Sequence, residues 1–209
     1  MNATSIVTLA PSVLEARGNN GQELLATDYY DREHVTVETP QYVGMTAGHT
    51  VGVRWRGPAF IYDSPIRTVA FPARLAFQVP RWEVLDSIGT TVQVTFSVKR
   101  GAAAIEMSGA LGLRVQGTPF APPTYDAARA QVVVSYPSQA NGQLVTVRWG
   151  GIVVRDTGLT TVVPGSPTRI SIPSAWIQEN RGRRVNVTYA IGTTSGAPYL
   201  FSRTLRLQL

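Results

Sequence analysis

His34 and His49 are the only histidines in a chain that has no cysteine. A histidine can serve as general base to a serine nucleophile or, with further ligands, hold zinc. Neither chemistry finds its other parts here. No Ser or Asp stands at a spacing that suggests a triad, and the Gly-x-Ser-x-Gly elbow is missing. Zinc needs at least three good ligands, which two histidines without cysteine do not supply. Both histidines therefore read as solvent-facing loop or strand residues. Asp28, Asp31, Glu33 and Glu38 gather in one stretch, and calcium takes carboxylates grouped in this way. The Asp-x-Asp-x-Asp-Gly spacing is absent, so the stretch reads as an acidic, hydrated loop. No metal, no cofactor and no hydrolytic or redox activity are expected.

Two groups of residues could bind without catalysing. Tyr29 and Tyr30 are adjacent beside polar residues. They cannot both point inward on one strand, and an exposed ring could stack on a sugar. Tyr42, Phe60 and Tyr62 are further aromatics near turns; Phe60 and Tyr62 alternate as core residues do. The densest charge is Arg181-Gly182-Arg183-Arg184, with Arg203 and Arg206 following. These five arginines could form a patch that attracts a polyanion. The competing reading is an edge strand and turn blunted by charge against aggregation. No nucleic-acid motif accompanies them, and nucleic acid is not an expected partner.

The elements that must position these residues show in the composition and the pattern. A chain of 209 residues with 44% hydrophobic and 15% charged residues suits two domains that each bury a core. No run approaches the length of a membrane helix, and Met1 to Ile6 lacks the basic region and apolar core of a secretory signal. The net charge of +6 is unevenly shared. Residues 117–209 carry nine Arg against Asp126, Asp156 and Glu179, whereas residues 1–116 carry nine Arg and Lys99 against ten acids. A GC-rich genome, which favours Arg codons, would account for the abundance of Arg over Lys without any binding.

The chain also contains itself twice. Val51-Gly52-Val53-Arg54-Trp55-Arg56-Gly57 returns as Val145-Thr146-Val147-Arg148-Trp149-Gly150-Gly151. Val79-Pro80 returns as Ile172-Pro173. Gly89, Val92, Val94, Phe96 and Val98 return as Gly182, Val185, Val187, Tyr189 and Ile191, at offsets of 93 or 94. Leu9-Ala10-Pro11 resembles Phe120-Ala121-Pro122, so the copies begin near residues 8 and 119. Each copy alternates apolar and polar residues with period two, the signature of half-buried antiparallel strands. Turn signals separate the runs, among them Gly57-Pro58, Gly101, Asn141-Gly142 and Ser195-Gly196. About seven strands per copy, with Trp55 and Trp149 mid-strand, predict sandwiches of the immunoglobulin type. Short helical turns are expected at 82–87 and 174–180. The first copy carries an insert of roughly 15 residues from Gly18-Asn19-Asn20-Gly21 to Glu33, whose composition predicts an exposed loop.

The pattern Ala-Pro-x-x-x-Glu-Ala, then Tyr42, then Gly44 to Gly57, with Phe77-Gln78-Val79-Pro80 and Gly89 beyond, resembles the tandem immunoglobulin-like repeats of large bacterial surface or secreted proteins from pseudomonads and related proteobacteria. The resemblance covers residues 9–209. His49 stands where the commonest form is acidic, and the second copy has Gln139 to Gln143 in place of the Gly-Met segment. The resemblance implies spacer or adhesive modules.

The reading is an all-β chain of two tandem immunoglobulin-like antiparallel β-sandwiches, residues 1–116 and 117–209. Its expected role is a non-catalytic structural or adhesive module: a spacer or fibre component of a surface, secreted or virion-type protein. The alternative is a module that binds a glycan through Tyr29 and Tyr30, or a polyanion through Arg181, Arg183, Arg184, Arg203 and Arg206. The expected partners are other protein domains or a second copy, joined through exposed strand edges. The expected location is extracellular or at the cell surface, with the cytoplasm left open.

Overall fold

The computed structural model describes residues 6–18, 20–193 and 200–209. Asn19 of the insert and the expected turn at Ser195-Gly196 lie outside the described residues. The chain is all-β and divides into two compact units, Met1–Gly117 and Thr118–Leu209.

In the first unit the strands are β1 (Ser12–Val13), β2 (Glu23–Leu24), β3 (His34–Thr39), β4 (Thr50–Arg56), β5 (Ile61–Asp63), β6 (Arg67–Thr68), β7 (Leu75–Pro80), β8 (Thr91–Lys99), β9 (Glu106–Met107) and β10 (Leu111–Val115). One sheet has the order β1-β3-β7. The other has β2-β10-β8-β4-β5, with β6 also on β4 and β9 also on β8. The period-two pattern decides which face of each strand is buried. Val92, Val94, Phe96 and Val98 of β8 are wholly buried, and so are Val35, Val37, Phe77 and Val79 of the smaller sheet. Burying each such side chain contributes about 1.5–3 kcal/mol.

The second unit repeats this plan with β11 (Thr124–Asp126), β12 (Gln131–Val134), β13 (Gln143–Gly150), β14 (Val154–Asp156), β15 (Thr160–Thr161), β16 (Thr168–Ser171), β17 (Arg184–Thr193), β18 (Leu200–Phe201) and β19 (Leu205–Gln208). Its sheets are β11-β12-β16 and β14-β13-β17-β18, with β15 also on β13 and β19 also on β17. Val132, Val134, Ile170 and Ile172 of the small sheet meet Val145, Val147, Trp149, Val185, Val187 and Tyr189 of the large one in a single core. Tyr125 reaches across to Trp149, ring centroids 5.9 Å apart. Trp55 and Trp149 are both buried, at matching places.

The expected helical turns are α2 (Arg81–Asp86) and α3 (Ser174–Glu179), each starting directly after a proline. Pro80 and Pro173 hold extended backbone (ψ 145° and 134°) and end the strand before the turn begins.

The insert departs from expectation. It forms a one-turn helix, α1 (Ala26–Tyr29), and it lays β2 alongside β10 in parallel, pairing Arg114 with Glu23 and Val115 with Leu24. The sandwich is therefore not antiparallel throughout. Arg114 N–H donates to Gln22 O and Gln116 N–H to Leu24 O, both at 2.8 Å. Leu24 and Tyr29 are buried. An exposed loop was expected because Gly, Asn and Asp dominate its start. It also contains Leu24 and Tyr29, whose burial outweighs that composition.

Candidate functional site

The expected basic residues belong to the second unit and to one stretch of its large sheet. α3 ends at Asn180, which is wholly buried. Its Oδ1 accepts from Ile152 N–H at 2.8 Å, and its Nδ2 donates to Trp176 O at 2.7 Å. The chain then turns through Arg181, Gly182 and Arg183. Gly182 N–H donates to Leu209 O at 2.8 Å, and Leu209 N–H to Arg183 O at 3.1 Å. These two bonds tie the turn to the end of β19, so Arg181 and Arg183, both exposed, stand beside it.

Alternation places the rest. Val185 and Val187 of β17 point into the core, so Arg184 and Asn186 face outward. On β19, Leu205 and Leu207 stand opposite Val187 and Val185, which turns Arg206 and Gln208 outward as well. Arg184 pairs with Gln208 and Asn186 with Arg206. The four outward side chains thus form a square with arginines at one diagonal and amides at the other. Arg203 precedes Arg206 by three residues, about 10 Å along the chain. Its N–H donates to Phe120 O at 3.0 Å.

The edge-strand reading fails for Arg184. β17 lies inside the sheet, between β13 and β19, so Arg184 is not on an edge strand. Arg203 and Arg206, on the outer stretch of β18 and β19, could serve that purpose, and Arg181 and Arg183 lie in the turn.

All three acids of the second unit are held elsewhere. Arg148 grips Asp156 through Nε and Nη2 at 2.8 and 2.7 Å. Arg155 makes a two-pronged pair with Glu179 and lies over the Trp176 ring. Asp126 bonds Arg129 at 2.9 Å and has Arg169 at 4.0 Å. The hydrogen bond from Arg155 holds the Glu179 carboxyl below the usual range, and that from Arg129 does the same for Asp126. Arg181, Arg183, Arg184 and Arg203 have no acidic partner among the described residues.

Tyr29 and Tyr30 are not brought together as a sugar platform, which corrects the expectation for Tyr29. Its ring is 2% exposed and its hydroxyl donates to Gln116 O at 2.6 Å. Burial pushes its pKa up to about 12, against the opposing charge of Arg81. Tyr30, the next residue, is 37% exposed. The hydrogen bond to the exit strand and the apolar surroundings outweigh whatever a stacked sugar would offer.

Nor do the acids around the insert converge. Asp28 is buried against Arg17 (3.0 Å) and Glu38 is bonded to Arg74 (2.7 Å). Among the described residues no three histidines or acids are grouped to hold a metal ion.

The histidines part company. His49 is half-buried, its Nδ1 3.0 Å from Tyr42 Oη and its Nε2 3.1 Å from Thr46 Oγ1. In the second unit Gln143 stands in its place. There Tyr136 Oη and Ala140 N–H both donate to Gln143 Oε1 at 2.9 Å. An imidazole and an amide thus brace the same tyrosine corner. His34 lines a cleft of about 610 Å3 with Tyr62, Ser64 and Gln78. No carboxylate lines this cleft. Ser64 Oγ accepts from Val53 N–H at 2.9 Å and donates to Pro65 O at 3.1 Å.

A polar framework present in both units escaped sequence reasoning. Arg54–Asp63 recurs as Arg148–Asp156. The Ser64 bond to Val53 recurs as Thr157 to Val147, and Ser108 to Phe96 as Ser202 to Tyr189, all at 2.8–3.0 Å. The 93- and 94-residue offsets relate every one of these pairs, so an alignment of the two copies by polar residues would have found them.

No family model matches the chain, and no curated protein matches it. Solved structures similar to it include a 1.5-MDa bacterial ice-binding adhesin (11% identity over 99% of this chain, TM-score 0.36). Others are a Ca2+-stabilised adhesin of an Antarctic bacterium that binds ice (13% over 98%, TM-score 0.34) and a tetra-tandem repeat from the extending region of a large adhesion protein (13% over 97%, TM-score 0.34). The chain spans 65% of the first and 49% of each of the other two.

Proposed function

We propose that the chain is a non-catalytic structural module of a surface or secreted protein or a virion, spacing or holding other parts under tension. The observation that carries this reading is parallel pairing near the end of each unit, on the exit strand itself in the first and as an isolated bridge just before the exit strand in the second. β2 runs parallel to β10 in the first, and Phe120 bridges Ser202 in parallel in the second. When the ends of such a unit are pulled apart, parallel neighbours slide past each other and their hydrogen bonds are loaded together rather than one at a time. In the first unit the insert adds Tyr29 as a further tie on the last residues before Gly117. The role of His49, shared with Gln143, fits the same reading, because the groups that could react serve the frame. An extracellular or cell-surface location belongs to this proposal, supported by the resemblance of the repeat pattern. So do partners that are other protein domains or further copies.

The test is forced unfolding of the full chain held by its two ends, a measurement governed by the unfolding barrier. Two separate events are expected. Tyr29→Phe should lower the force of one and leave the other unchanged. Unfolding of both units at forces too small to resolve would overturn the proposal, as would a Tyr29→Phe trace identical to the parent.

A further inference from the structure

We propose that the outward face of β17 and β19, with the turn before β17, binds a linear acidic polysaccharide. The arginines 181, 183, 184, 203 and 206 hold its carboxylate or sulfate groups. This goes beyond the structural role, which stands without it.

The first ground is charge. Asp126, Asp156 and Glu179 are each paired with arginines outside the cluster, and Arg181, Arg183, Arg184 and Arg203 meet no acidic side chain among the described residues. These four guanidinium groups are placed to meet planar anions, which such groups bind by paired hydrogen bonds.

The second ground is that the fold does not require these residues. At the matching positions of the first unit stand Ile88, Thr90, Thr91, Gly109 and Gly112. The same turn and the same strand pair form there with no arginine at these five positions, Arg114 standing instead where the second unit has Gln208: Leu113 lies opposite Val92 as Leu207 lies opposite Val185. A compositional bias toward Arg would not select these five sites in one copy and none of them in the other.

The third ground concerns the ligand. Asn186 and Gln208 alternate with Arg184 and Arg206 on the same face. Asn186 Oδ1 is buried with no hydrogen-bond partner. Amides beside guanidinium groups suit a polymer that carries hydroxyls between its charges. Nucleic acid fits less well. α3, of six residues, is too short to read a groove. Phe120, whose carbonyl accepts from Arg203 N–H, packs its ring edge-on against Tyr136 and offers no stacking platform.

The test uses the full chain with three probes: heparin as a sulfated chain, polygalacturonate as a carboxylated one, and duplex DNA of matched charge. At least one polysaccharide should bind at 50 mM salt. With five contacts its affinity should fall roughly 100-fold by 200 mM. Arg183→Glu with Arg184→Glu should lower it at least tenfold. Arg32→Glu with Arg56→Glu, on the first unit, makes the same change in net charge and should alter it less than twofold. Asn186→Ala with Gln208→Ala should weaken polysaccharide and leave DNA unchanged. Equal losses in the two double reversals would overturn the site. DNA bound as tightly as either polysaccharide would overturn the choice of ligand, and no binding at 50 mM salt would overturn both. Should the Arg183 and Arg184 reversals prevent folding, Arg181→Glu with Arg183→Glu, both in the exposed turn, asks the same question. These outcomes are independent of the unfolding forces, so either proposal can fail alone.

Discussion

Trp55 donates its indole N–H to Ser87 Oγ at 3.1 Å, and the matching Trp149 has no partner for the same group. The difference lies in one residue. Asn180 occupies the place of Ser87 and spends its amide on Ile152 N–H and Trp176 O instead. Removing either Trp side chain to Ala should cost about 3–5 kcal/mol through the cavity left behind. Trp→Phe should separate them. Trp55→Phe gives up a hydrogen bond and should cost about 1 kcal/mol more than Trp149→Phe, which gives up none. Calorimetric melting of the two variants checks this, and equal shifts would contradict it.

The same exchange explains a glycine. A Cβ on Gly151 would come within 2.3 Å of Asn180 Oδ1, whereas one on the matching Gly57 would meet Ser87 Oγ at 3.3 Å. Gly151→Ala should therefore destabilise the second unit by roughly 1–3 kcal/mol as an overpacked site, and Gly57→Ala should cost little. In an Asn180→Ser background the Gly151→Ala penalty should largely vanish, since the shorter side chain clears the methyl. A double-mutant cycle by denaturant unfolding measures this coupling, and strict additivity would refute the explanation.

Alkaline pH should loosen both units. Burial pushes Tyr29 and Tyr189 up to about 12, while an unfolded tyrosine titrates near 10. Between these values the unfolded chain loses protons that the folded chain keeps, so stability present below about pH 10 falls as pH rises toward 12. Tyr189→Phe should flatten the decline for the second unit. Denaturant midpoints from pH 9 to 12 provide the test, and a decline as steep as the parent's in that variant would count against it.

The outer edge of β7 is guarded. Arg67 Nη1 donates to Ala76 O at 2.5 Å and Tyr62 Oη to Gln78 O at 3.2 Å. In the second unit Thr160 and Arg155 occupy those positions; the first is too short and the second is turned to Glu179. Tyr62→Ala with Arg67→Ala should bare the β7 edge and promote self-association. Sedimentation of the double variant should show a concentration-dependent rise in mass. A strictly monomeric profile would mean that these side chains do not protect the edge.

Much of the architecture was legible in the residues. Period-two runs such as Val92-x-Val94-x-Phe96-x-Val98 dictate which face of a strand is buried, because successive side chains on a strand point to opposite faces. The offset of 93 or 94 residues then placed both buried tryptophans and both short helices after Pro80 and Pro173. The basic cluster was visible as five arginines, but whether Arg181, Arg183, Arg184 and Arg203 meet an acid depends on where Asp126, Asp156 and Glu179 end up. Asp126 and Asp156 lie 25 or more positions from every arginine of the cluster and Glu179 only two to five from three of them, yet the register of β13 against β14 and the turn of α3 carry Asp156 and Glu179 to other arginines. The insert misled for a related reason. Its Gly and Asn residues describe how the chain bends locally, while the burial of Leu24 and Tyr29 against β10 is a contact across about 90 residues. Local pattern carries secondary structure and facing; the choice of partner for each charge and hydroxyl follows only once distant strands have taken their register.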